Sequence, residues 1–176
     1  MRWLNWEGDE LKGPTPNKSN GAADLKKYTF DIGAINATHV ASYANVKGGF
    51  GNETAEQNVL LSLSITTNQG DKHTSWFHLV SLANAALRDP GLKIEVKEHN
   101  GHDTVSFLVT AVDAVAAWVW LDHPSSVRGH FDQNAFWLGK GESKVVTFKV
   151  WNDFTGDGSW TREVAVRSMW NLTTHS

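Results

Sequence analysis

The sequence predicts an all-β fold, and three observations carry that reading. Short segments rich in β-branched and aromatic residues alternate apolar with polar positions, the period-two signature of half-buried strands. Turn-forming clusters separate them at fairly even spacing: His99-Asn-Gly-His102, Gly139-Lys-Gly141 and Thr155-Gly-Asp-Gly158. Nowhere does the sequence show an amphipathic helix or a heptad repeat.

Taken in order, strand candidates fall at Arg2 to Trp6, Tyr28 to Ile32, His39 to Tyr43 and Val59 to Thr67. Four strands are few for a closed sandwich, so residues 1–83 read as a partial β-sandwich truncated at its N-terminal side. A helical turn is expected at Leu82 to Leu87, and it must stop before Asp89-Pro-Gly91, where proline forbids continuation. A linker over residues 84–91 follows. Beyond it, residues 92–176 carry strands at Leu92 to Val96, Thr104 to Ala111, Val115 to Leu121, Val145 to Trp151 and Glu163 to Trp170. Several short strands with regular turns are the pattern of an immunoglobulin-like sandwich. In Val115 to Leu121, Trp118 and Trp120 share one face and Val119 the other, which reads as a central strand buried on both sides. The expected architecture is therefore two tandem immunoglobulin-like β-sandwich units. The incomplete first unit would expose a sheet edge or apolar face within residues 1–78, and self-association through it is expected.

Composition narrows the function classes. Of 176 residues 40% are hydrophobic and 20% charged, which indicates neither disorder nor a membrane span. A net charge of -3 without a Lys/Arg stripe argues against nucleic acid as a partner. The absence of cysteine removes disulfides, thiolate metal sites and a cysteine nucleophile together. Arg2, Glu7, Asp9 and Glu10 stand where an export signal needs an apolar run, so this chain is read as carrying none of its own. Yet Asn17, Asn36, Asn52 and Asn171 head N-glycosylation sequons, which matter only in a secretory pathway. Both observations agree if the chain is a piece of a longer exported protein.

Nine tryptophans invite a carbohydrate-binding reading, because sugar rings stack their C–H faces on exposed indoles. Trp118, Trp120, Trp151 and Trp170 lie inside strand patterns and are assigned to the core. Trp3, Trp6, Trp76, Trp137 and Trp160 lie nearer loops or ends, and of these Trp137 and Trp160 are the candidate sugar contacts.

The remaining chemical motifs have plainer readings. Asn52-Glu53 imitates the acid/base dipeptide of some glycosidases but sits in a Gly-rich loop and within a sequon. Asp122-His123 and Ser125-Ser126 supply triad residue types without a nucleophile elbow, and a solvated turn explains them better. His99 and His102 lack a third ligand for zinc, and Asp153 to Gly158 lacks the position-three and position-twelve ligands of a calcium loop. No catalytic residue, metal or cofactor is expected.

Read continuously, AAWVWLDHP, DQNAFWL and the remainder of Ala114 to Thr173 resemble the C-terminal immunoglobulin-like domain of fungal β-mannosidases of glycoside hydrolase family 2. Upstream, Phe30 to Val40, Asn58 to Thr66 and Trp76 to Leu92 resemble the preceding immunoglobulin/carbohydrate-module-like domain and its linker, with Leu79 and Ser81 standing where that family usually has prolines. The resemblance implies a secreted parent that removes terminal non-reducing β-mannose with retention, its two catalytic glutamates on a (β/α)8 barrel preceding the matched region. No residue here corresponds to either glutamate. The resemblance thus implies a non-catalytic accessory piece that packs against the remaining domains of the parent. The alternative is an independent carbohydrate-binding or surface-recognition module for a mannose-containing glycan. Neither nucleic acid nor a membrane is an expected partner.

Overall fold

The structure, a computed structural model, describes residues 2–11, 55–66, 69–70, 72–99, 101 and 103–173. The chain divides into two compact units, the first comprising residues 1–5 and 10–86 and the second residues 6–9 and 87–176. Nearly all regular structure among the described residues is β.

In the first unit, strands β1 (Arg2–Asn5), β2 (Glu10–Leu11), β3 (Val59–Thr66) and β4 (Lys72–His78) form an antiparallel sheet in the order β2-β1-β3-β4. Consecutive residues of a strand face opposite ways, so burial of both Trp3 and Leu4, and of both Leu60 and Leu61, means that β1 and β3 are covered on both faces. Trp3 is thus a core residue and no candidate platform. The β4 strand escapes sequence inspection because its KHTSWFH composition obscures the alternation. The strand candidates Tyr28 to Ile32 and His39 to Tyr43, the Asn52-Glu53 pair, and the sequons at Asn17, Asn36 and Asn52 lie outside the described residues.

The expected helical turn before the Asp-Pro-Gly triplet is a shorter 3-10 turn, Leu82–Asn84. Just ahead of it Ser81 adopts φ -58° and ψ 148°, angles proline itself takes, so a serine here keeps the backbone path a proline would impose. At Asp89-Pro-Gly91 the Asp89 carboxylate accepts from Gly91 N at 2.9 Å, and Pro90 O accepts from Val112 N and Asp113 N. This Asx-type turn fixes the entry to the first strand of the second unit.

The second unit is a sandwich of seven strands among the described residues. One sheet has the order β5-β6-β10-β8, from β5 (Leu92–His99), β6 (Thr104–Ala111), β8 (Val127–Phe131) and β10 (Ser143–Asp153). The other has the order β11-β7-β9, from β7 (Ala116–Asp122), β9 (Phe136–Leu138) and β11 (Ala165–Arg167). Four strands facing three is the division of a constant-type immunoglobulin sandwich. Inward rows from both sheets meet in one core, with Phe107 and Val109 of β6, Val146 and Phe148 of β10, Val119 and Leu121 of β7, and Leu138 of β9. Burying such aliphatic and aromatic side chains contributes roughly 1.5–3 kcal/mol each, which is what holds the two sheets face to face.

The DQNAFWL segment, singled out in the sequence, closes the sandwich by local hydrogen bonds. Asp132 exchanges two bonds with Thr147 of β10, its carboxylate accepting from Thr147 N at 2.9 Å and its own N–H donating to Thr147 O at 2.8 Å. Asn134 does the equivalent on the other sheet, its amide oxygen accepting from Leu121 N at 2.8 Å and its amide nitrogen donating to Leu121 O at 3.3 Å. One side chain there replaces a residue of strand, so β9 can be short.

Two sequence expectations need correction here. Glu163 to Trp170 is not one strand: a 3-10 turn (Ser159–Glu163) precedes β11, and a second 3-10 turn (Met169–Leu172) follows it. The cause is local competition by short polar side chains: Asn171 accepts from Ser168 N at 2.7 Å in a capping box that turns the chain out of the sheet. Trp170, expected in the core, is only half-buried in that turn. Second, β7 is not buried on both sides, a point on which the candidate site depends.

The Asp153 to Gly158 loop is neither a metal loop nor a plain hairpin turn. Asp153 Oδ1 accepts from Thr155 N at 2.8 Å, Thr155 Oγ1 at 2.5 Å and Gly156 N at 3.3 Å, while Oδ2 accepts from Gly158 N at 3.0 Å. The carboxylate occupies its own nest of N–H donors, the reverse of a calcium site, in which oxygens face a cation. The Thr155 hydroxyl, and then the backbone N–H groups, hold the Asp153 pKa below the ordinary carboxylate range. A depressed folded pKa adds stability that is present above about pH 4 and lost as pH falls through the folded value. Denaturant titrations at falling pH should therefore show a decline that Asp153→Asn flattens; parallel curves for both proteins would disprove the assignment.

Candidate functional site

The site is the outward face of the three-stranded sheet in the second unit. Along β7 Ala116, Ala117, Val119 and Leu121 are buried, whereas Trp118 and Trp120 are 45% and 48% exposed. Both indoles therefore stand on the solvent side, and Asp122 continues their row at the next alternate position. Arg167 of β11 lies directly opposite Trp120 in the ladder, so it projects from the same face. Trp137, between the buried Phe136 and Leu138 of β9, completes the row on the other side.

Several contacts fix these groups in place. The Trp120 indole N–H donates to Asp122 Oδ1 at 2.9 Å, and Arg167 Nη1 stands 3.6 Å from Asp122 Oδ2. The Trp118 ring meets Trp137 edge-on, with centroids 6.2 Å apart at 60°. Trp137 is backed in turn by Trp6 of the same unit, stacked at 6.1 Å and 25°. Trp6 is fully buried, and its carbonyl accepts from Val115 N at 3.0 Å.

Trp118 has φ 53°, one of two non-glycine residues with positive φ among those described. The register explains it: Ala116 pairs with Leu138 and Val119 with Phe136, leaving two β7 residues against one of β9. This is a β-bulge with tryptophan at the left-handed position that glycine usually fills, at a cost of about 1–2 kcal/mol.

The structure thus separates the tryptophans differently from the sequence reading. Trp160, a candidate sugar contact, is 1% exposed and packs against Phe107 and Phe148, so it offers no face to a ligand. Trp137 is half-buried between Trp6 and Trp118. Trp118, Trp120 and Trp151, read as core, are exposed, with Trp151 at 67% beside His130 on the other sheet. One signal in the sequence marks the outward row of β7: Trp118-x-Trp120-x-Asp122 ends on a carboxylate, while its alternate row is wholly aliphatic.

Among the described residues, the other motifs do not come together as a site. Asp122 is engaged by Trp120 and Arg167, and His123 Nδ1 lies 2.9 Å from Pro124 O with its ring against Phe148. His99 is exposed, His102 lies outside the described residues, and no metal-ligating cluster occurs among the described residues. Asn171 and Leu172 of the fourth sequon are exposed on the last 3-10 turn.

A seven-stranded sandwich among the described residues, four strands facing three with a tryptophan-lined outer face, defines an immunoglobulin-type domain. Residues 87–172 match the Ig_mannosidase family, described as an Ig-fold domain. Over 97% of its length it is 32% identical to Beta-mannosidase A of Aspergillus niger, and over 98% it is 33% identical to that of Aspergillus oryzae. Beta-mannosidase A of Aspergillus aculeatus matches 96% of the chain at 32% identity. In each case the chain spans 18% of the relative's length.

Proposed function

We propose that this chain is a non-catalytic accessory portion of a secreted, retaining β-mannosidase of glycoside hydrolase family 2. In this reading its sandwich supports the packing of the remaining domains. The observation that carries it is the pattern of similarity: almost the whole chain matches, yet it accounts for 18% of each relative. A retaining glycosidase needs two carboxyl groups about 5–5.5 Å apart across the scissile bond. Here Asp122 is tied to an indole and a guanidinium, and Asp153 is filled by its own loop. The outward sequon at Asn171 supports passage through a secretory pathway.

The test is turnover of p-nitrophenyl β-D-mannoside by the purified chain. The expected outcome is release no faster than in buffer across pH 4 to 8. Saturable hydrolysis that co-purifies with the chain would overturn the accessory reading.

A further inference from the structure

We propose that Trp118 and Trp120, framed by Asp122 and Arg167, form a carbohydrate-binding platform that takes the hexopyranose rings of a glycan chain. This goes beyond the accessory reading, which requires no ligand.

The chemistry of the face sets the ligand class. Two half-exposed indoles stand on alternate residues of one strand, about 6–7 Å apart along it, and offer flat apolar surface. A pyranose has an apolar C–H face that stacks on such rings and a hydroxylated rim that needs donors and acceptors beside them. The rim partners are present at the same level. Asp122 uses one acceptor direction for the Trp120 N–H and one toward Arg167, which leaves about two of its four lone-pair directions for hydroxyls. The Arg167 guanidinium, which projects from the same face, adds a fork of N–H donors. A carboxylate and a guanidinium side by side suit a vicinal diol, which both donates and accepts.

The face is also preorganised. The Asp122 bond orients the Trp120 ring, Trp137 backs the Trp118 ring, and the bulge holds Trp118 in a left-handed conformation that tryptophan disfavours. Strain kept at an exposed aromatic residue, where the core gains nothing from it, is a mark of a functional surface. Rigid rings lose little entropy on binding.

The experiment is titration calorimetry of the full chain with β-1,4-mannohexaose, cellohexaose and mannose, accompanied by gel filtration. Saturable binding of a hexaose is expected, weakened about tenfold or more by Trp118→Ala or Trp120→Ala. Arg167→Gln should weaken it less, and Trp151→Ala, which alters a more exposed indole on the other sheet, should leave it unchanged. Both platform residues are half in solvent, so melting curves of the variants should match the parent and keep the comparison valid. Absence of heat with every glycan overturns the proposal, as does binding that survives both tryptophan variants. Self-association abolished by Trp118→Ala, without glycan binding, also overturns it and makes this face a protein interface. None of these outcomes depends on the hydrolysis assay, so the accessory reading stands or falls separately.

Discussion

Replacing Trp160 by alanine should lower the stability of the second unit by about 3–5 kcal/mol, the range for truncating a buried aromatic side chain. The ring lies in a 3-10 turn between β10 and β11, yet it is 1% exposed and completes an aromatic cluster. Its centroid is 5.0 Å from Phe148 and 6.1 Å from Phe107, and Phe148 in turn packs against Phe131 at 4.8 Å. Strands of both sheets are held by their own ladders, so they cannot move in to refill the space, and the loss approaches the full cavity cost. For a unit of this size the melting temperature should fall by at least roughly 12 °C. Trp160→Phe, which keeps one ring, should recover much of the loss. Trp151→Ala should stay within about 0.5 kcal/mol of the parent, because that indole is 67% exposed. A small effect of Trp160→Ala in chemical denaturation would mean that the ring is not core and would return it to the list of sugar contacts.

The same comparison shows what the sequence makes legible. Thr104–Ala111 reads correctly because its alternation is set by apolar and hydroxyl side chains with one face available for burial. The all-β class and the immunoglobulin-like sandwich of the second unit follow from several such strands. By contrast, β8 and β9 escape notice: VRGHF and FWL are too short for periodicity, and their pairing depends on β7 and β10, distant in sequence. Tryptophan defeats the pattern most clearly. Period two shows that Trp118 and Trp120 share a face, but which face is inward depends on which other sheet packs against it. Ala116, Val119 and Leu121 fill the narrow space between sheets, and the wide indoles are left outside. In Trp160 the reverse holds: a loop-like sequence, GDGSW, returns its last residue to the core, and only tertiary contacts reveal it.

The second large effect expected is at Gly129, in the middle of β8. Alanine there should cost about 3 kcal/mol, at the upper end for overpacking, because the added Cβ has nowhere to go. It would stand 2.2 Å from the Lys149 carbonyl oxygen and 2.6 Å from Cε1 and Cζ of Phe148. Neither neighbour yields easily: Lys149 pairs with His130 in the β8–β10 ladder, and Phe148 is fully buried in the aromatic cluster. The glycine is therefore required by close approach, since its φ lies outside the positive range. Gly141 supplies the opposite case, with φ 74° and no atom within 4 Å of the added Cβ, so Gly141→Ala carries only the dihedral cost of about 1–2 kcal/mol. Strand separation at Gly129 would also disturb His130 and Trp151, whose rings lie 5.3 Å apart, and so shift tryptophan emission in Gly129→Ala but not in Gly141→Ala. Equal losses in the two variants, without an emission change, would show that β8 does not pair with β10 in this register. The sandwich would then lose the edge strand that completes its four-stranded sheet.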